Sequence, residues 1–178
     1  MLKTVDFAFN EQVLHLFLNG AALFDFYDRY GVEQEIPDVV AGESRKSFLA
    51  TCWLLYKLAE QGELARRQLG HTPEDIPSMG QLAALLGVLD VPRARRAICE
   101  AARLGFSMEH PPKREYEDLG LLELQKKNGS RQSRTEYLDT ATQVLGLDLR
   151  AVQLLTPGQL ADLVELEIQR GRLKRKED

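Results

Sequence analysis

The side chains best able to do chemistry in this chain are three histidines, two cysteines and a few close carboxylates, and their spacing decides whether they can act together. His15, His71 and His110 fall in three different segments. None has a second His or Cys three or four residues on, the interval that sets two ligands on one helical face, so no metal centre and no general base is expected. Cys52 and Cys99 sit among apolar residues with no CxxC and no ligand-spaced partner. They read as two reduced, buried thiols packing as small apolar groups. Position suggests neither a Ser-His-Asp nor a Cys-His arrangement. The glycines make no GxGxxG and no phosphate loop. Asp25 with Asp28, and Glu165 with Glu167, read as solvated helix faces rather than as an acid and base pair. The expectation is a protein without catalytic activity, metal or cofactor.

Two sets of residues could instead hold a macromolecule. The stretch from Gln81 to Phe106 resembles a helix-turn-helix, with Leu82, Ala83 and Leu86 before a turn at 87–92 and an arginine-bearing helix after it. In that reading Arg93, Arg95, Arg96 and Arg103 meet DNA phosphates, as in a phage packaging or regulatory protein. Glu100 shares the face of Arg93 and Arg96 and the flanking segments are not basic, so an ordinary helical hairpin with a solvated arginine face is the competing expectation. The second set is aromatic. Phe24, Phe26, Tyr27 and Tyr30 cover more than one side of a three-turn helix, a wide arc that a core can fill or a partner can cover. The basic run Arg170, Arg172, Lys174, Arg175 and Lys176 is explained by the negative end of a helix dipole.

These residues must be positioned by elements whose signals are mostly helical. With 178 residues, 44% of them hydrophobic, the chain can bury a core, while a 28% charged fraction and a net charge of -4 describe an ordinary surface that selects no partner. The apolar runs are interrupted well short of the roughly 20 residues of a bilayer span and the start lacks a signal-type apolar region, so no membrane and a cytoplasmic location are expected. Val5, Phe7 and Phe9 alternate with polar neighbours, and Leu14, Leu16 and Leu18 do so again after Asn10-Glu11-Gln12. That is a β-hairpin pattern, with a helical reading of 11–18 still open on periodicity alone.

From Asn19 the punctuation is helical: 21–30 closed by Gly31, then a loop from Val32 to Gly42 holding Pro37. Ser44 caps a core helix carrying Phe48, Leu49, Cys52, Leu55, Tyr56 and Ala59 and ending at Gly62. Capping boxes at Ser78 with Gln81, Ser133 with Glu136 and Thr156 with Gln159 start three more, the last with Pro157 at its first position. Asp90 and Pro92 open a helix to Gly105 with Ala94, Ala97, Ile98, Ala101 and Leu104 on one arc. The predicted organisation is 1–105, a hairpin plus helical core; 106–118, a linker with Pro111-Pro112; and 119–178, a C-terminal helical segment. Within that segment, helices are expected at 119–128, before the Gly129-Ser130 break, at 134–145, at 149–155 and at 157–172. The fold class is α+β, mainly α, with an N-terminal β-hairpin packed on a helical bundle.

Three stretches together resemble the tail assembly chaperones of long-tailed bacteriophages. VDFAFNEQVLHLFLNGAALFDFYDRYG is similar to that family's opening, an apolar hairpin running into an Asn-led helix with a terminal glycine. SFLATCWLLYKLAEQGELARRQLG resembles its central helix, a tryptophan-containing apolar run followed by Gly and a basic pair. LGLDLRAVQLLTPGQLADLVEL looks like its downstream segment, where a short helix leads through Thr-Pro into a second amphipathic one. The linker and the helix after it have no counterpart, and the downstream segment, a frameshift extension in many members, is carried here in one piece. The resemblance implies a non-catalytic chaperone binding the tape-measure protein and tail-tube subunits, with self-association compatible with the same surfaces. The partner contacts it implies are Phe24, Tyr27 and Tyr30 of the first helix and Leu155, Leu160 and Leu163 of the terminal pair.

Overall fold

A computed structural model describes residues 3–109 and 134–170 of the chain. Its fold is α+β and mainly α, an N-terminal antiparallel hairpin laid on helices. Strands β1 (Val5–Phe9) and β2 (Gln12–Leu16) pair with Phe7 opposite Leu14 and Val5 opposite Leu16. Phe7, Phe9, Leu14 and Leu16 all point into the core, as side chains of period two must. This settles 11–18 as turn and strand. Asn10 and Glu11 take φ of 44° and 64°, the pair of positive values that a two-residue hairpin turn of matching twist needs. On the other face His15 pairs with Asp6 directly across the ladder, Nδ1 to Oδ1 at 2.6 Å.

Helix α1 (Gly20–Tyr30) begins where the buried Asn19 accepts the Ala22 N–H through Oδ1 and donates through Nδ2 to Gln61 Oε1 at 3.0 Å. It stops at Gly31, with φ of 92°. The expected loop at 32–42 contains a short helix, α2 (Ile36–Val40), because Pro37 sits in its first turn, where a missing N–H costs nothing. Ser44 caps α3 (Arg45–Gln68) as expected, but the helix does not end at Gly62. It runs on, because Gly62 serves an approach rather than a stop. A Cβ there would lie 1.7 Å from the His15 carbonyl oxygen, and Phe17 N–H donates to the Leu58 carbonyl at 3.0 Å, so the strand exit is bonded straight onto the helix.

Helix α4 (Met79–Leu85) starts at its Ser78–Gln81 capping box and packs on α3. Helix α5 (Asp90–Phe106) has Leu89 at its cap position with no side-chain cap bond, so Asp90 sits inside the first turn, where it pairs with Arg93 at 3.2 Å. Ala94, Ile98 and Ala101 of the expected arc are buried, joined by Ala102 and Gly105.

The C-terminal region contributes α6 (Arg134–Asp139), which widens into a π-helical turn over Thr140–Val144, then α7 (Leu149–Leu154) and α8 (Pro157–Gln169). The Thr156–Gln159 capping box with Pro157 is present. These helices seat on the N-terminal body, α7 on α1 and α8 on α5. Outside the described residues lie His110, linker positions 110–118, the expected helix at 119–128, the Gly129-Ser130 break, the Ser133 capping box and the basic end from 171 onward. Phe106, the expected first linker residue, is instead the last residue of α5.

Two apolar clusters hold the chain. The larger joins the hairpin and α1 to α5 through residues such as Leu16, Phe26, Ile36, Trp53, Leu55, Leu82 and Ile98. The smaller consists of Phe24, Tyr137, Ala141, Val152 and Leu160. No helix of the described residues is long and apolar enough to cross a membrane.

Candidate functional site

No group of three or more His, Cys, Asp or Glu able to hold a metal ion occurs among the described residues. The thiols are free, Cys52 buried and Cys99 half-buried rather than fully so, and burial raises the pKa of each, which keeps them protonated and poor as nucleophiles. The expected solvated carboxylates are mostly engaged. Asp25 pairs with Lys57 at 3.0 Å, and Glu167 with Arg170 at 2.7 Å. Glu165 is buried and accepts from Gln169 Nε2 at 3.2 Å, which corrects its reading as a solvated face.

The four arginines of α5 differ in what holds them. Arg95 turns inward, its Nε donating to Thr51 Oγ1 at 3.2 Å and its Nη2 to Ser47 Oγ at 3.3 Å, both on α3. Arg103 forks onto Glu100 at 2.9 and 2.5 Å, an exposed pair that lowers the pKa of the carboxyl. Arg93 pairs with Asp90 and lies over the Phe7 ring at 5.9 Å. Arg96 is the member of the set that projects into solvent with no ion pair among the described residues. Three of the four, Arg93, Arg96 and Arg103, thus stay on the exposed side of α5, and Arg95 is the member withdrawn from it.

The six residues expected to meet a protein partner do not form one surface. Phe24, 3% exposed, and Leu160, 2% exposed, are core members of the smaller cluster, so their assignment to the surface is corrected. Phe24 sits edge-on to Tyr137 with ring centroids 5.1 Å apart. Tyr30 packs edge-on against Trp53 at 5.5 Å, with the Arg29 guanidinium 4.9 Å above the Trp53 ring. Leu155 is half-buried, and its carbonyl accepts the Gly20 N–H at 2.9 Å. Leu163 lines a separate shallow cleft with Leu145, Leu147 and Leu166.

Tyr27 alone of the six lines an apolar groove of about 580 Å³. It is lined by Leu23, Phe26 and Tyr27 of α1, Ile36 of α2 and Cys99, Ala102 and Phe106 of α5, together with Tyr137, Pro157 and Ala161 of the C-terminal helices. Gln34, Glu35 and Arg103 are its polar members. The spacing of Cys99, Ala102 and Phe106 was the available signal, a second stripe beside the buried one, hidden by taking Phe106 for linker. A further apolar surface is the turn from α4 to α5, where Val88 is 88% and Leu89 85% exposed. No protein-family model, curated protein or solved structure matches the chain.

Proposed function

We propose that this protein is a non-catalytic assembly chaperone of the long-tailed phage type, working in the host cytoplasm and holding apolar helical segments of the tape-measure protein until tail-tube subunits replace it. The observation that supports the reading is the groove between α1, α5 and the C-terminal helices. It is lined mostly by apolar side chains and is open to solvent, with Gln34, Glu35 and Arg103 as its polar members. At about 580 Å³ it takes the anchor side chains of an amphipathic helix, spaced i, i+3 or i+4 and i+7, rather than the helix whole.

Burying apolar area there contributes roughly 25 cal/mol per Å² before the cost of ordering the partner, which leaves affinity in a range that permits displacement. Release matters as much as capture, since a chaperone that held its client irreversibly would stop the tube from closing.

The test is co-expression with a tape-measure protein followed by pull-down, using wild type and Phe106→Glu. Phe106 is half-exposed at the groove, so the substitution places a charge in the lining without opening the larger core. Capture by wild type and its loss in the variant is expected. Equal capture by both, or by neither, defeats the assignment.

A further inference from the structure

The C-terminal helices line part of the groove but do not share the main core. Among the described residues, Phe24 is the one member of the smaller cluster that the N-terminal body supplies; its neighbours on α1, Ala22, Leu23 and Phe26, belong to the larger one. One aromatic ring therefore plugs into a pocket formed by Tyr137, Ala141, Val152 and Leu160. Around that plug, backbone amides of the N-terminal body donate to the C-terminal helices. Gly20 N–H donates to the Leu155 carbonyl at 2.9 Å, and Glu109 N–H to Asp162 Oδ2 at 2.8 Å. A Cβ on Gly158 would stand 2.1 Å from the Ser107 carbonyl oxygen, and one on Gly20 3.0 Å from the Val152 carbonyl oxygen.

Among the described residues such a seat is separate from the larger core and joined to the body through one ring, and it closes the groove on the Tyr137, Pro157 and Ala161 side. We infer that residues 134–170 form a latch that lifts from the body as a unit, uncovering Phe24 and widening the groove, while the larger core stays folded. Regions held by few buried apolar contacts open by themselves in this way, below the free energy of global unfolding. The purpose of the latch, admitting a client helix, rests on the chaperone reading. Its existence does not.

Hydrogen exchange on the full chain, read by mass spectrometry without any partner, tests the latch. Peptides from α7 and α8 should exchange at least tenfold faster than those from α3, by an opening whose urea dependence is measurable but shallower than that of global unfolding. Gly158→Ala and Phe24→Ala should each speed α7 and α8 exchange by a further order of magnitude and raise binding of the dye anilinonaphthalene sulfonate several-fold. Fluorescence of Trp53, the single tryptophan and a member of the larger core, should report an unchanged body. Exchange of α3, α7 and α8 at one common rate, or dye binding unmoved in both variants, would overturn the latch whatever the pull-down shows. A failed pull-down with separable exchange would instead remove the chaperone reading and leave the latch standing.

Discussion

Glu11 occupies the second turn position of the hairpin at φ 64°, a left-handed conformation that costs a residue with a Cβ about 1 kcal/mol. Glycine takes it freely, so Glu11→Gly should raise stability by roughly 0.5 kcal/mol net of the extra freedom it gives the unfolded chain, seen as a small upward shift of the urea midpoint. Glu63 shows the opposite economy. Its side chain is nearly buried, and desolvation opposes its charge, but Arg67 at 2.7 Å and the Glu74 N–H at 2.8 Å outweigh that, and its pKa falls below the ordinary 4.5. A carboxyl whose folded pKa is depressed contributes stability that is present above its unfolded pKa and is lost as pH falls through the folded one. Wild type should therefore lose stability more steeply than Glu63→Gln as pH drops below about 4.5, with the gap between their urea midpoints narrowing. Parallel curves would show that the carboxylate is not what Arg67 and the 74 amide hold.

Among the elements, α3 organises the rest, and its glycine is the clearest case of tertiary demand overriding a local rule. Gly62 sits mid-helix, where glycine costs about 1 kcal/mol against alanine, yet alanine would drive its Cβ into the backbone of β2. Gly62→Ala should destabilise by about 3 kcal/mol, at the upper end of overpacking, because the obstructing atom is a carbonyl that cannot rotate aside. Thermal unfolding of the variant checks this, and a gain in Tm would mean that the strand exit is looser than its Phe17 to Leu58 hydrogen bond implies. Helix α5 carries a similar lesson. The arginines that suggested a nucleic-acid face are distributed between α3, an acidic neighbour on the same helix and an aromatic ring, so their number says little about their availability.

At the scale of the whole molecule, the apolar features that the described residues present to solvent include the groove and the turn at Val88 and Leu89. The turn lies outside both clusters, so Val88→Ser with Leu89→Ser should change stability by no more than about 0.5 kcal/mol. If this tip mediates self-association, the double variant should elute later than wild type in size-exclusion chromatography at high concentration. Identical elution would show that the tip is not a self-association surface. The hairpin, the Asn19, Ser44, Ser78 and Thr156 starts and the Gly31 stop were all legible in sequence, because alternation and capping are local rules that need only the neighbouring residues. Burial of Phe24 and Leu160, continuation of α3 through Gly62, the inward turn of Arg95 and the groove itself were not. Each depends on which distant backbone or side chain arrives to meet that residue, and periodicity along one element says that an apolar face exists without saying what covers it.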